Sequence, residues 1–120
     1  MPSHLNQSLL ANAQAVAQAA TAYSSSLDFR GCVGNVALFI ASTAGSVTIS
    51  QQCSLDNVTF YDPEDTSGGA LGVVRSALTV TTGKYVPFTP VLATWTRFKI
   101  VEGNVAATAV TLKCLFRTEG

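Results

Sequence analysis

The sequence predicts an all-β fold, an antiparallel β-sandwich or jelly-roll-like barrel of seven to eight short strands, and three observations carry that prediction. Apolar and polar residues alternate with period two through most of the chain after Arg30. Turn-forming clusters interrupt the alternation at short intervals: Ala44-Gly45-Ser46, the stretch DPEDTSGG at residues 62–69, Thr82-Gly83-Lys84 and Glu102-Gly103-Asn104. No helical crossover separates the candidate strands, which argues against a parallel α/β sheet.

The elements follow in order. Residues 1–27 contain no Asp, Glu, Lys or Arg and are rich in Ala, Gln and Ser. Leu9, Ala13, Val16, Ala20 and Tyr23 recur at helical spacing, and Ser3 is placed to cap such a helix. That stripe is narrow and mostly alanine, and an isolated helix of this length is marginal in water. Residues 1–23 therefore read as a short helix, a loose tail or an arm ordered against a neighbouring subunit, with 24–120 as the β domain; residues 21–29 read equally well as a first strand. NVALFIAS, residues 35–42, carries apolar side chains on both faces, the pattern of a strand covered on both sides. Residues 46–54 alternate cleanly, so the two segments read as a hairpin about Ala44-Gly45-Ser46. A short strand at 58–61 precedes the acidic loop. Residues 71–80 and 85–88 follow, with Pro87 and Pro90 pointing to a sheet edge or a bend. Residues 94–101 and 109–117 close the fold; in the last of these Val110, Leu112, Cys114 and Phe116 face inward.

Composition bounds the function. The chain has 120 residues, enough for one domain, and only 12% are charged, with seven basic residues against seven acidic. No net field draws it to nucleic acid or to an anionic membrane, and no apolar run reaches the length of a membrane-crossing helix. So little charge suits a protein that hides surface against partners. Three cysteines without a CxxC pair fit free thiols in a reducing compartment better than a disulfide framework.

Chemistry finds few candidates. His4 is the one histidine, so no Ser-His arrangement with a second base exists, and neither GxSxG nor a phosphate-cradling glycine loop occurs. Asp62, Glu64 and Asp65, with Asp56, could offer oxygens to calcium, but their spacing is not that of an EF-hand and the loop is explained by Pro63, Gly68 and Gly69 as a turn. Arg97, Lys99, Lys113 and Arg117 beside Trp95 could form a basic face for single-stranded nucleic acid, against the zero net charge. Tyr61, Tyr85 and Trp95 could form a platform for sugar rings. No catalytic, cofactor or metal site is predicted. The candidate interface residues are Leu5, Leu9, Val16, Tyr23, Asp62, Glu64, Asp65 and Trp95.

One family pattern is present. SVTISQQCSLDNVTFYDPED, then YVPFTPVLATWTRFKI and VTLKCLFRTEG, resembles a family of small phage structural proteins. The matching residues are Ser54, Asp56, Phe60, Tyr61, Asp62 and Pro63, then Phe88, Pro90, Arg97, Phe98 and Lys99, and the opening SSSLDFRG also fits. The resemblance spans residues 24–118 and leaves residues 1–23 outside it. It implies a compact β-sandwich in a virion, most specifically a head decoration or cement protein, with tail, collar, fibre or baseplate components as the alternative. The implied partners are the major capsid protein or other virion proteins and further copies of the chain, as a dimer or trimer. Localisation in a virion assembled in the host cytoplasm follows. A carbohydrate-binding module is the rival from another class.

Overall fold

The computed structural model describes residues 3–29, 32–91 and 94–119. Seven strands are described: β1 (Ser3–Val16), β2 (Thr21–Tyr23), β3 (Leu27–Asp28), β4 (Cys32–Ser54), β5 (Val73–Phe88), β6 (Trp95–Glu102) and β7 (Thr108–Glu119). All pairings are antiparallel, and the sheet runs β1-β7-β4-β6-β2, with β3 also on β6 and β5 on β4. The all-β antiparallel prediction holds.

β4 organises the molecule. One of its edges carries β5, while the other carries β7 along residues 32–42 and β6 along residues 47–54. The change of neighbour falls at Gly45, whose φ of +70° a residue with a Cβ adopts only with strain. The sheet curls there, so the inward faces of its two halves close on one core. Leu38, Ile40, Val47, Ile49, Phe98, Ile100, Val110, Leu112 and Cys114 are wholly buried in it. Burying each large aliphatic or aromatic side chain of this set contributes about 1.5–3 kcal/mol. Phe88 bridges the layers, edge-on to Phe98 with centroids 5.6 Å apart and to Phe29 at 6.5 Å.

Three local expectations need correction. Residues 35–42 and 46–54 are not a hairpin: Gly45 bends one continuous strand without reversing it, because β5 keeps pairing on both sides of the bend. Thr82-Gly83-Lys84 is likewise not a turn. It lies inside β5, where Gly83 makes room for the Phe39 ring; a Cβ there would stand 2.6 Å from Phe39 Cε1. Residues 58–61 form no strand, and only Tyr61 pairs, through two 2.9 Å backbone bonds with Cys53.

The helical reading of the N-terminal segment is also corrected. Residues 3–16 are a strand registered against β7 from Ser3↔Glu119 to Val16↔Thr108. Exposure alternates along it, with Leu5, Gln7 and Leu9 outward, until bulges beyond Leu9 bring Leu10, Ala11 and Val16 into the common core. The backbone hydrogen bonds offered by β7 outweigh the helix propensity of alanine and glutamine, which amounts to tenths of a kcal/mol per residue.

A carboxylate closes the corner. Glu102 follows Phe98 and Ile100 on the inward face of β6 and is 2% exposed. Its oxygens accept backbone N–H bonds from Ala19 (2.9 Å), Ser46 (3.1 Å), Val105 (3.0 Å) and Ala106 (3.4 Å). The β1–β2 connection, the β4 corner and the β6–β7 loop are thereby tied to one side chain. These donors, that of Ala19 foremost, hold its pKa down at about 2 against the opposing effect of burial.

Candidate functional site

The segment between β4 and β5 is the most elaborate surface feature, and serine and aspartate build it. Ser54 Oγ accepts the N–H groups of Asp56 (3.2 Å) and Asn57 (2.9 Å), and donates to Asp56 Oδ1 at 2.9 Å. Asp56 Oδ1 accepts from Val58 (2.9 Å) and Thr59 (3.0 Å), and these amides hold the carboxyl below its usual range. Asn57 takes the left-handed conformation at φ +61° that closes the turn. The result turns Leu55 and Val58 outward, 85% and 79% exposed, beside Tyr61. A shallow depression of about 420 Å³ lies among Cys53, Ser54, Leu55, Thr59, Tyr61 and Pro63.

The acidic tip beyond it is a self-contained turn. Asp65 Oδ1 accepts from Ser67 and Gly69, both at 2.8 Å, and Glu64 pairs with Ala70 across the turn. Asp62 turns back to the sheet: Oδ1 accepts from Gln52 Nε2 at 2.8 Å, and Oδ2 lies 3.6 Å from Lys99 Nζ. Both oxygens of Asp62 and Oδ1 of Asp65 are thus engaged by the protein, and no group of three His, Cys, Asp or Glu positioned to hold a metal occurs among the described residues.

Gln52 extends this network to an aromatic clamp. Its Oε1 accepts from Arg97 Nε at 2.9 Å, and the Arg97 guanidinium lies between two rings, 4.2 Å from the Tyr23 centroid and 4.3 Å from that of Phe60. Tyr23 and Asp62, distant in sequence, are therefore linked through Arg97 and Gln52. Trp95 sits nearby, opposite Ser54 and Asp28 in the sheet. Leu5 and Leu9 lie elsewhere, on the outward face of β1 beside Arg117 and Lys113 of β7. Val16 is a correction: at 2% exposure it packs in the core and offers nothing to a surface.

The rival constellations do not assemble. Tyr61 and Trp95 flank the end of β4, whereas Tyr85 packs at a tilt against Phe39, centroids 5.2 Å apart, in its other half. Arg97 and Lys99 belong to the β6 layer and are engaged as described, while Lys113 lies in the β7 layer, 5.9 Å above the Phe39 ring. The thiols are poor nucleophiles: burial pushes Cys114 up to about 12 and raises Cys53 and Cys32, the last also through the negative charge of Asp28. The His4 side chain lies outside the described residues.

No family model matches the chain, and no curated protein matches it. Among solved structures, the SPBc2 prophage-derived protein YomS aligns over 98% of this chain and 96% of its own, with a TM-score of 0.54 at 13% identity. The likeness is one of fold. The structure of infectious bursal disease virus Gx strain aligns over 98% of this chain and 32% of its own, with a TM-score of 0.49 at 13% identity.

Sequence reasoning missed Phe60 as a clamp, Gln52 as a relay, Leu55 and Val58 as exposed side chains, and Glu102 as a buried acceptor. Parity held a signal for the last, since Phe98, Ile100 and Glu102 lie two residues apart on one face. The Arg97 clamp left no such signal, because its parts come from β2, β6 and the loop after β4. Together these features give a braced, apolar-tipped projection suited to contact.

Proposed function

We propose that this chain is a non-enzymatic structural protein of a bacteriophage virion, most specifically a head decoration or cement protein that stabilises the capsid through protein–protein contacts. The observation that carries this reading is the end-to-end likeness of fold to a prophage-derived protein of similar length. The residues agree with it. Exposed Leu55, Val58 and Tyr61 on a rigid turn, and Leu5 and Leu9 on a strand edge, present apolar contact surface on a chain with little charge. The raised thiol pKa values and the internally engaged loop carboxylates are those of a framework rather than of a reacting centre. Its partners are the major capsid protein or other virion proteins, and copies of itself. Each contact adds buried area, worth about 25 cal/mol per Å² before association costs, and repetition over a symmetric shell makes weak contacts act together.

The test is co-sedimentation of the purified chain with heads of the encoding phage that lack it, together with the heat resistance of those heads. Binding that raises heat resistance, and that weakens in Leu55→Asp/Val58→Asp, supports the decoration reading. Recovery on tails alone would replace it with a tail, collar or fibre component. Absence from every virion part, or turnover of a small substrate, would overturn the proposal.

A further inference from the structure

The aromatic clamp around Arg97 leaves one edge of the guanidinium unused. Gln52 stands directly opposite Arg97 in the β4–β6 ladder, is 7% exposed, and accepts the Nε–H at 2.9 Å. Its amide is fixed at the other end, where Nε2 donates to Asp62 Oδ1 at 2.8 Å. The rings of Tyr23 and Phe60 hold the guanidinium between them. Nη1 and Nη2 of Arg97 have no hydrogen-bond or ion-pair partner among the described residues. Both reach solvent, because the buried side-chain nitrogens and oxygens without a partner among those residues are Ser42 Oγ and Thr96 Oγ1.

Two parallel N–H groups held in a fixed plane fit the two oxygens of a carboxylate, a bidentate pairing that arginine makes and lysine cannot. The rings and Gln52 have already taken the rotamer freedom that an arginine otherwise loses on binding, so docking costs less here. Local charge selects a carboxylate over a phosphate chain. Asp62 lies at the far end of the same amide, and Asp56, Glu64 and Asp65 belong to the same loop. Lys99, two residues along β6, already has Asp62 Oδ2 at 3.6 Å from its Nζ. A nucleic-acid backbone needs several cations along its path, whereas one carboxylate needs a single partner. Exposed Leu55, Val58 and Tyr61 stand on the loop that supplies Phe60, and Tyr23 is 45% exposed beside the guanidinium. The surroundings therefore suit an acidic side chain flanked by apolar residues.

We propose that the Nη edge of Arg97 anchors one Asp or Glu side chain of a partner protein, presented beside apolar residues. The identity of that partner as a head protein rests on the virion reading, and the test has two arms so that the two can fail separately. In the first, the natural chain alone is titrated with a capped Val-Glu-Val peptide at millimolar concentration. The Arg97 side-chain N–H resonances should move saturably, and a capped Val-Gln-Val peptide should leave them in place. In the second, Arg97→Lys keeps the charge without the paired edge and should bind heads lacking the chain at least about tenfold more weakly than the natural chain. Circular dichroism checks that the variant is folded, and the peptide arm decides without it. Equal shifts from both peptides, or none from either, would overturn the anchor. So would a thymidine oligonucleotide that shifts the resonances at lower concentration than the glutamate peptide, which would give the edge to phosphate. Heads that bind the natural and the Lys chains equally would overturn the anchor and leave the virion reading standing. Heads that bind neither, with the peptide shifts present, would support the anchor and overturn the virion reading alone.

Discussion

Two places in this molecule use one device, a carboxylate that gathers backbone N–H groups, and they use it at opposite ranges. At the sheet corner Glu102 collects donors from Ala19, Ser46, Val105 and Ala106, which belong to three separate stretches of chain. In the turn after β4, Asp56 collects Val58 and Thr59, its own neighbours. The first therefore ties the tertiary structure together, because without it part-buried donors on three segments would lose a shared acceptor. The second stiffens a short piece of surface that water could solvate equally well. Similar hydrogen-bond lengths thus have unlike consequences, and what decides between them is burial and sequence separation.

The largest effect is expected at the corner. Glu102→Ala should lower the melting temperature by on the order of 10 °C, measured by calorimetry, because the buried side chain is lost and several part-buried donors lose their acceptor together. Gly45→Ala comes next. A Cβ there meets Ala106 O at 2.7 Å and Glu102 Oε2 at 2.8 Å on a backbone already at φ +70°, so it should cost about 2 kcal/mol in urea unfolding. If both variants melt like the natural chain, the corner is not what holds the two halves of the sheet together.

Acidity tests the same contrast through charge. The folded pKa of Glu102 is lowered from 4.5 to about 2, so its stabilisation is complete above the unfolded value and is lost as pH falls through that window. The gap in urea midpoint between the natural chain and Glu102→Gln should therefore be widest near neutrality, narrow below pH 4.5 and be nearly closed at pH 2. A gap independent of pH would mean that the ionised form of the carboxylate is not what the corner requires. Asp56 shifts in the same direction, so the comparison is with the Gln variant rather than with an absolute acid profile.

Range also explains what the sequence made legible. Strand alternation around Ile49, Phe98 and Leu112 needs only neighbours two residues away, and the all-β class was readable from it. The turn that Ser54 and Asp56 build is equally local, because their acceptors serve amides at most three residues on. Gly45 and Gly83 misled for the opposite reason. A glycine that bends a strand, or admits the ring of Phe39 from another strand, looks in sequence like a glycine that reverses the chain. The N-terminal segment was unreadable as a strand, since its partner β7 lies about a hundred residues away and alanine-rich spacing imitates a helix. Of the candidate surface, Asp62 and Tyr23 were named but not their connection through Gln52 and Arg97, which no local pattern encodes.

The smallest expected effect is the sharpest test of range. Asp56→Ala should leave the melting temperature within about 3 °C of the natural chain, because the amides it frees are exposed and water replaces the acceptor. Locally the change should be large. The amides of Val58 and Thr59 should exchange with solvent roughly tenfold faster, while those of Ile49 and Ile100 in the core keep their rates. Asp56→Asn retains a carbonyl acceptor at the same position and should recover most of the protection, which separates the loss of the hydrogen bonds from the loss of charge. A melting point as low as that of Glu102→Ala would contradict the local role, because it would make a surface turn as necessary to the fold as the buried corner. Unchanged exchange would show that Ser54 alone fixes the turn through its bonds to Asp56 and Asn57, with the Asp56 carboxylate adding nothing to the rigidity of the apolar tip.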